Sequence, residues 1–311
     1  MPLWLSEEDV GSLVTPGEAV PVIEDCFRRM AAGQVHLMPR RRFPVDGGVF
    51  AVMAATDRGL GVAGLKSYLV VEGRIEFVVC LFDLAEGTLA AMIAADKLGQ
   101  VRTGAASGVA AKHLARRGAA SLGLIGAGWQ AESQLAAIRA AVPSIERVVV
   151  SSRSRERAEA FADANGAEVA DSPSEAGGCD VVVTATSSKD PVLRGDWLAD
   201  GALVCAIGAN DPRARELDAQ VIARATVVCC DSIEDARLES GDLIEPIAAG
   251  QLDWLEVQEL AQIVSGGLPG RQADTDVVVF KSNGIAPWDL AIGHEVVRRA
   301  RERGVGTQLD G

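Results

Sequence analysis

A glycine-rich run at residues 126–131 carries the clearest chemical signal in this sequence. It reads Gly-Ala-Gly-Trp-Gln-Ala, which fits the pattern G-x-G-x-x-A, and it joins an apolar segment to an amphipathic one that extends to about residue 141. Glycines between a strand and a helix allow backbone N–H groups and the positive end of the helix dipole to approach a pyrophosphate. The run therefore predicts a dinucleotide-binding turn, and a tight turn without a ligand is the alternative.

The residues after the next apolar segment bear on which dinucleotide is bound. Three valines at 148–150 precede the run Ser-Ser-Arg-Ser-Arg at 151–155. NAD-binding proteins usually have an acidic residue here for the ribose 2′-hydroxyl, whereas Arg153 between two hydroxyl groups would form charge-assisted hydrogen bonds with a 2′-phosphate. We expect NADP as the preferred cofactor and NAD as the alternative. A purely structural interpretation is that Ser154 caps the next helix and Arg153 is solvated.

The charge of the chain limits its partners. Its 43 acidic and 30 basic residues give a formal net charge of −13, which repels phosphate backbones and anionic lipid surfaces. We therefore expect neither nucleic acid nor a membrane as a partner, and any bound anion must rely on local cations such as the arginines at 40–42. The first residues lack a signal-peptide pattern, and no apolar run approaches the roughly 20 residues of a membrane span, so we expect a cytoplasmic protein.

Short apolar segments alternate with helical patterns in the middle of the chain. The strand-like segments are 121–126, 147–152, 180–185, 203–207 and 226–230. Such an alternation is typical of a parallel, doubly wound sheet of the Rossmann type, with the glycine-rich run at the end of its first strand.

The segments on either side predict a second domain. A helical pattern at 16–32 is followed by strand-like segments at 49–54, 65–71 and 75–82, and the tight Glu-Gly-Arg at 72–74 predicts a hairpin connection between the last two. An alanine-rich pattern from 89 to 117 predicts one long helix, and 286–303 predicts another. We therefore predict an α/β protein in which a Rossmann domain, 116–274, is inserted in an α+β domain formed by 1–115 plus 275–311.

The sequence resembles the ornithine cyclodeaminase/μ-crystallin family over nearly its whole length. Arg-Thr-x-Ala-Ala some two dozen residues before a dinucleotide turn is a specific combination. Four stretches carry the resemblance: Gly-Leu-Lys at 64–66, Val-Arg-Thr-Gly-Ala-Ala at 101–106, the run at 126–131, and Val-Phe-Lys-Ser-Asn-Gly at 279–284 with Asp289-Leu290. The resemblance implies hydride chemistry at a C–N bond, and a homodimer formed through the sheet of a substrate-binding and dimerisation domain.

The resemblance also implies roles for three cations. Family members bind the substrate carboxylate with two arginines and a lysine, and Lys66 and Arg102 match two of these positions. The first arginine is either Arg40 or Arg41, because the prolines on the two sides of the run favour different choices. A lysine buried among other cations loses its proton more easily, so Lys66 is a candidate proton donor or acceptor at the substrate nitrogen. Carboxylate binding without proton transfer is the alternative for Lys66.

Cofactor binding is assigned to the glycine-rich run, to the end of the second strand and to loops further along the chain. The assigned residues are Thr103, Gly126, Ala127, Gly128, Trp129, Gln130, Ser152, Arg153, Ser154, Thr186, Gly208, Ala209, Asn210, Ser282 and Gly284. No group of His, Cys and carboxylate residues has the spacing of metal ligands, so we expect no metal site.

Two departures from the cyclodeaminase pattern bear on the reaction. Ala51 stands where cyclodeaminases have a glutamate, and Asn210 stands where they have an aspartate, although a one-residue shift would let Asp211 replace it. We therefore expect an NAD(P)-dependent imine reductase or amino-acid dehydrogenase that acts on a small amino or imino acid. The alternatives are an ornithine cyclodeaminase-type ammonia lyase and a low-turnover protein that binds NADP and a ligand, as the crystallin relationship suggests.

Overall fold

The computed structural model describes residues 1–309 of the 311-residue chain. The chain divides into two compact units, Met1–Arg102 with Ile285–Gly311, and Thr103–Gly284. The boundaries of these units fall at 102/103 and 284/285, whereas the sequence pattern led us to place the domain boundaries at 115/116 and 274/275. The first boundary falls inside a long helix, where no break in the helical pattern marks it.

The first unit is built on a seven-stranded sheet with the order β15-β1-β6-β5-β4-β3-β2. Neighbouring strands are antiparallel except for β1 and β6, which are parallel. The strands, numbered along the chain, are β1 (Leu3–Leu5), β2 (Val35–Val45), β3 (Gly48–Asp57), β4 (Val62–Val71), β5 (Arg74–Asp83), β6 (Thr88–Ala94) and β15 (Thr307–Gln308).

Helices pack on this sheet. They are α1 (Glu7–Leu13), α2 (Pro16–Ala31) and α11 (Ala286–Arg303), together with the start of α3 (Asp96–Leu114). α2 begins where predicted, because the side chains of Thr15 and Glu18 form a capping box. α11 packs against β3, β4 and β5 with a buried face that includes Trp288 and Leu290.

A two-residue turn joins β4 to β5. Glu72 and Gly73 both have positive φ, 48° and 78°, which suits the right-handed twist of a hairpin. The predicted hairpin connection is therefore confirmed, and both strands are longer than the sequence pattern indicated.

The prediction of a helix from residue 89 was wrong. Residues Thr88–Ala94 form β6, which pairs with β5 and β1, and α3 begins only at Asp96. The carboxylate of Glu7 fixes this start, since it accepts hydrogen bonds from the backbone N–H groups of Asp96 and Lys97 over 2.8 and 2.7 Å. Pairing with β1 and β5 overrides the helical preference of the alanine-rich segment.

The second unit is an eight-stranded parallel sheet with the order β13-β12-β14-β11-β10-β7-β8-β9, which confirms the predicted Rossmann fold. The strands are β7 (Ser121–Ile125), β8 (Arg147–Ser151), β9 (Glu168–Val169), β10 (Val181–Thr184), β11 (Leu203–Ala206), β12 (Val227–Cys230), β13 (Gln258–Glu259) and β14 (Val278–Lys281). Sequence reasoning missed β14 as a strand, although it lies between β11 and β12 in the sheet.

Seven helices connect these strands within residues 103–284, in addition to the end of α3. They are α4 (Trp129–Ala141), α5 (Arg155–Asn165), α6 (Pro173–Gly177), α7 (Ala219–Arg224), α8 (Ile233–Glu239), α9 (Gly241–Ala248) and α10 (Leu260–Val264), with a 3-10 turn at Gly195–Trp197. Along the described chain, we find no helix with the length and hydropathy that a membrane span requires.

The order of the strands marks where a ligand binds in such a sheet. From β7 the chain winds outward through β8 and β9, then returns to the other side of β7 and winds outward through β10, β11, β12 and β13. Strand β14 then fills the position between β11 and β12. The switch point lies between β7 and β10, and ligands of doubly wound sheets bind beyond the carboxyl ends of the strands at this point.

Candidate active site

Lys66 projects from the middle of β4 and is buried. Its Nζ donates a hydrogen bond to Oδ1 of Asp289 over 3.2 Å and lies 4.9 Å from the centroid of the Phe77 ring. Gly99 on α3 leaves room for the ammonium group, because a Cβ at that position would lie only 2.9 Å from Nζ. Strand β4 and helices α3 and α11 thus position the lysine together.

Arg102 shares its carboxylate partner with Lys66. Its Nε donates to the same Oδ1 of Asp289 over 3.2 Å, and its Cζ lies 5.7 Å from the ring centroid of Trp288. Asp289 belongs to the first turn of α11 and is fully buried. One carboxylate oxygen therefore holds two cations of the predicted substrate site next to each other.

The arginine run contributes one buried member. Arg40 is buried on β2 with its Nε 3.3 Å from Sδ of Met53, whereas Arg41 is exposed. A register shift between Met38 and Arg41 in the pairing of β2 with β3 separates the two positions. Of the two candidates, Arg40 is therefore the arginine whose charge reaches Lys66.

This cluster contains more positive than negative charge. Burial lowers the pKa of Lys66 to about 8, and the guanidinium groups of Arg102 and Arg40 add to that effect while Asp289 opposes it. An amine with this pKa carries a proton at neutral pH and releases it readily just above. Lys66 is therefore suited to proton transfer near physiological pH.

Three buried polar atoms of the cluster have no hydrogen-bond partner among residues 1–309: Nη1 of Arg102, Nε1 of Trp288 and Oδ2 of Asp289. Buried polar groups are nearly always satisfied in proteins, so several unsatisfied groups in one cluster indicate a missing partner. An anion held by the free guanidinium nitrogen would supply one.

The glycine-rich turn has the geometry of a dinucleotide site. Gly126 has φ +116°, and a Cβ there would lie 2.4 Å from the carbonyl oxygen of Ala185. Its N–H donates to the carbonyl of Ser151 over 2.8 Å, which ties the turn to the end of β8. Gly126 is therefore required by the backbone itself.

Gly128 differs, because nothing described in the chain explains why it is glycine. It is exposed, and a Cβ there would meet no atom within 4 Å. It is also the N-cap of α4, which has no side-chain cap. An open helix N-terminus next to a glycine that packing does not require fits a pyrophosphate that approaches the backbone closely. The neighbours Ala127, Trp129 and Gln130 are partly or fully exposed, and Ala131 is buried.

The end of β8 carries the residues assigned to the adenosine ribose. Oγ of Ser154 accepts from the backbone N–H of Arg157 over 3.3 Å, so Ser154 caps α5 as the structural interpretation proposed. Arg153 is exposed and Ser152 is partly buried. The Ser154 hydroxyl therefore serves as the helix cap. A contact between Arg153 and a ribose 2′-phosphate remains a prediction.

The loops after β10 and β11 hold the next assigned residues. Thr186 follows β10, and Gly208, Ala209 and Asn210 follow β11. Gly208 fits tightly, because a Cβ there would lie 2.3 Å from the carbonyl oxygen of Thr186. Thr103 stands apart from these strand ends, since it is a buried residue of α3.

Asp231, which sequence reasoning missed, binds two of the assigned cofactor residues. Its Oδ2 accepts from Oγ of Ser282 over 3.2 Å and from the N–H groups of Asn283 and Gly284 over 2.8 and 2.7 Å. Burial raises the pKa of Asp231, and these donors oppose the rise. Ser282 and Gly284 thus shape the loop after β14 through a carboxylate of the protein.

The two positions that depart from the cyclodeaminase pattern carry no carboxylate side chain. Ala51 is buried on β3, and Asn210 is exposed. The nearby carboxylate of Asp211 accepts hydrogen bonds from the backbone N–H and from the guanidinium of Arg213, over 2.8–2.9 Å.

Sequence reasoning also missed the carboxylates that organise both sites. Asp289 was noted only as part of a motif, and Glu216 was not noted at all, although both are fully buried. An acidic residue within an apolar helix start, as in Ala-Pro-Trp-Asp-Leu at 286–290, was the available signal for Asp289. Glu216 lies in a polar loop, where an acidic residue attracts no notice.

Residues 2–304 match the model of the ornithine cyclodeaminase/mu-crystallin family. A delta(1)-pyrroline-2-carboxylate reductase from Bacillus cereus is 38% identical to this chain, with 99% of each sequence aligned. Two solved structures superpose with a TM-score of 0.93 and 30% identity. One is the delta(1)-pyrroline-2-carboxylate reductase of Thermococcus litoralis in complex with NADH and L-proline, which covers 99% of this chain and 100% of that one. The other is an archaeal alanine dehydrogenase dimer with bound NAD, which covers 99% of both chains.

Proposed function

This chain belongs to the ornithine cyclodeaminase/mu-crystallin family, and we propose that it works within that family as an NAD(P)-dependent oxidoreductase on the C–N bond of a small amino acid or cyclic imino acid. The observation that carries the proposal is the buried cluster of Lys66, Arg102 and Asp289, in which a lysine with a lowered pKa lies beside a guanidinium nitrogen without a partner.

The substrate carboxylate is the group that this cluster recognises. Arg102 keeps Nη1 available and Arg40 adds a second buried guanidinium, so the two supply planar donors to an anion. Each hydrogen bond between charged groups stabilises such a complex by roughly 1.5–3 kcal/mol. Asp289 prevents the cations from separating by binding Lys66 and Arg102 through one oxygen.

Lys66 delivers the proton in the direction of reduction. An imine accepts hydride well once its nitrogen is protonated, and a lysine with a pKa of about 8 carries a proton at neutral pH. A nicotinamide cofactor, held by the glycine-rich turn, would supply the hydride for reduction or accept it in oxidation when bound. In the oxidative direction, neutral Lys66 removes a proton from the substrate ammonium, so one residue serves both directions.

The second unit provides the residues for the dinucleotide. Gly126, Gly128 and the start of α4 fit the pyrophosphate, and exposed Arg153 at the end of β8 supports a preference for NADP over NAD. Solved relatives contain NADH or NAD, so the preference for NADP is a proposal that rests on Arg153 alone.

We also propose a homodimer formed through the sheet of the first unit. Its strands expose large apolar side chains, and the related alanine dehydrogenase is a dimer. The exposed apolar residues that the strand register places on one face of this sheet include Phe43, Phe50, Leu69 and Phe82. Exposed apolar patches of this kind mark protein interfaces. Sedimentation of a stable monomer at micromolar concentration would contradict this assembly.

A substrate panel tests the activity. The purified protein is incubated with Δ1-pyrroline-2-carboxylate, or with small α-keto acids plus ammonia, and oxidation of NADPH and NADH is followed. We expect turnover with at least one cyclic imino acid or keto acid. In a parallel reaction with ornithine and catalytic NAD, we expect no rapid release of ammonia, because neither Ala51 nor Asn210 has a carboxylate that could pair with a second ammonium group or take its proton. Redox-neutral ammonia release would instead assign a cyclodeaminase, and tight NADPH binding without any turnover would assign a binding protein.

A further inference from the structure

A buried carboxylate, Glu216, joins the two loops that follow β10 and β11. Its Oε1 accepts from the N–H and from Oγ1 of Thr186, both over 2.7 Å. Its Oε2 accepts from Oγ1 of Thr184 over 2.8 Å and from the N–H of Gly208 over 2.6 Å. Glu216 itself is fully buried. Four donors from two strand ends therefore converge on one side chain.

Two further charged residues hold Glu216 in place. Oδ1 of Asp242 accepts from the backbone N–H groups of Glu216 and Leu217 over 2.7 and 2.9 Å. The other oxygen of Asp242 lies 3.1 Å from Nζ of Lys281, at the end of β14. Lys281 also donates to the carbonyl oxygens that flank the β11 loop, Ala206 over 3.3 Å and Ala209 over 2.5 Å. We call Glu216, Asp242 and Lys281 the carboxyl-edge network.

The place of the network in the sheet suggests what it does. A doubly wound sheet consists of two mononucleotide-binding halves on either side of the switch point. Strands β7 and β8 carry the glycine-rich turn and Arg153, which suit the pyrophosphate and the adenosine. Strands β10, β11 and β14 belong to the other half, where the nicotinamide nucleotide would lie. The network ties together the carboxyl ends of these three strands.

We propose that Glu216, Asp242 and Lys281 are positioning residues for the nicotinamide half of the cofactor. They fix the backbone of the loops that carry Thr186, Gly208 and Ala209. This inference rests on the proposed dinucleotide-dependent function. The network sets the affinity for the nicotinamide end and leaves the adenosine end unaffected.

The chemistry of the network explains why a charged residue is needed at 216. A carboxylate accepts hydrogen bonds from all four donors. The amide of glutamine has one acceptor oxygen, and its NH2 group would face two of those donors without accepting from them. The backbone of Gly208 packs closely against the carboxylate, because a Cβ there would lie 2.5 Å from Oε1 of Glu216. In the Glu216→Gln variant, the loop after β10 or the loop after β11 must therefore lose its anchor.

A matched control exists at the opposite edge of the same sheet. Asp180, which directly precedes β10, accepts from the N–H groups of Ala120 and Ser121 over 2.8 and 3.0 Å and from Oγ of Ser121 over 2.9 Å. It also pairs with Arg116. The Asp180→Asn variant thus removes a comparable carboxylate anchor at the amino edge, away from the ligand-binding edge.

The test compares two ligands by calorimetry in wild type, Glu216→Gln and Asp180→Asn. NADH reports on the whole cofactor, and ADP reports on the adenosine half alone. For Glu216→Gln we expect Kd for NADH to rise at least about tenfold while Kd for ADP changes less than about twofold. For Asp180→Asn we expect a lower Tm with an unchanged ratio of the two Kd values.

Other outcomes would contradict either the positioning role or the proposed function. If Glu216→Gln weakens both ligands by the same factor, or neither, the positioning role is refuted while the proposed function stands. If wild-type protein binds neither NADH nor NADPH, the proposed function itself fails. If it binds NADPH alone, NADPH and 2′-phospho-ADP replace NADH and ADP in the same comparison. Should Glu216→Gln not fold, Thr184→Val replaces it, since it keeps the carboxylate and removes one buried donor. We expect that variant to raise Kd for NADH about threefold with ADP unchanged, and equal changes for both ligands would refute the proposal.

Discussion

Each unit contains a buried cluster of a lysine, carboxylates and other polar groups. The two clusters differ in how many of their polar groups have hydrogen-bond partners. In the first, Lys66 and Arg102 share one oxygen of Asp289, and three polar atoms around them have no partner in the described chain. In the second, Glu216 accepts four hydrogen bonds and Lys281 contacts two carbonyls and a carboxylate.

The difference shows how the same side chains are used for binding or for structure. The first cluster combines three cations with one carboxylate, whereas the second combines two carboxylates with one lysine. A cluster with excess positive charge and an unpaired guanidinium nitrogen attracts an anion, whereas carboxylates that accept hydrogen bonds from backbone N–H groups rigidify the backbone around them. Removing a lysine should therefore affect chemistry in one cluster and stability in the other.

Replacing Lys66 should produce the largest effect on turnover. Lys66→Arg keeps the positive charge but cannot exchange a proton near neutral pH. We expect kcat for imine reduction to fall about 10²–10⁴-fold, with a smaller change in KM. Steady-state kinetics at saturating substrate measure this change. Near-normal turnover of Lys66→Arg would reduce Lys66 to a carboxylate anchor.

Removing the lysine of the second cluster should mainly reduce stability. Lys281→Met leaves Asp242 and Glu216 buried without their cation, and breaking a buried pair costs about 3–5 kcal/mol in the free energy of unfolding. Lys66→Met serves as the matched variant, for which we expect a change below about 1 kcal/mol because Arg102 still pairs with Asp289. Urea unfolding measures both, and equal losses would remove the distinction between the clusters.

Removing the unsatisfied guanidinium should weaken substrate binding. For Arg102→Ala we expect KM for the substrate to rise about 10–100-fold, because the carboxylate loses charge-assisted hydrogen bonds. The adjacent pair Arg40→Ala and Arg41→Ala sharpens the test. Only the Arg40 change should raise KM, since Arg41 is exposed. A rise in KM with Arg41→Ala alone would transfer the role to that residue.

The pH dependence should follow Lys66. Reduction uses its protonated form, so kcat/KM should be constant below a pH of about 8 and fall about tenfold per unit above it. Asp289→Asn removes the carboxylate that favours the ammonium form, and the inflection should move to lower pH. A pH–rate profile of wild type that lacks an inflection, or one that is unchanged in Lys66→Arg, would exclude this assignment.

The smallest effect concerns an exposed charge outside both clusters. Arg153→Ala should raise KM for NADPH about tenfold and leave KM for NADH nearly unchanged, because only the 2′-phosphate loses a partner. Arg155→Ala is a suitable control, since Arg155 is also exposed and pairs with Glu159. Equal changes for both cofactors would refute a preference for NADP based on Arg153.

Local patterns made some features predictable and left others out of reach. The glycine-rich run was recognisable because strand, turn and helix are consecutive in sequence, and Lys66 and Arg102 came from motif resemblance. Asp289 and Glu216 were not recognisable as site residues, since their partners lie 187–223 and 8–32 residues away. The helix predicted from residue 89 failed for a similar reason, because pairing with β1 and β5 decided that segment.

The arginine run has a consequence for how the protein avoids aggregation. Strand β2 lies at one end of the sheet order, so within residues 1–309 no strand pairs with its outer side. Open edges recruit strands from other molecules unless charges or prolines obstruct them. Arg41 and Arg42 are exposed on β2, and Pro39 and Pro44 lack backbone donors. The segment that supplies a buried arginine to the Lys66 cluster thereby also protects an exposed edge, and the proposed dimer would use the face of the sheet instead of this edge.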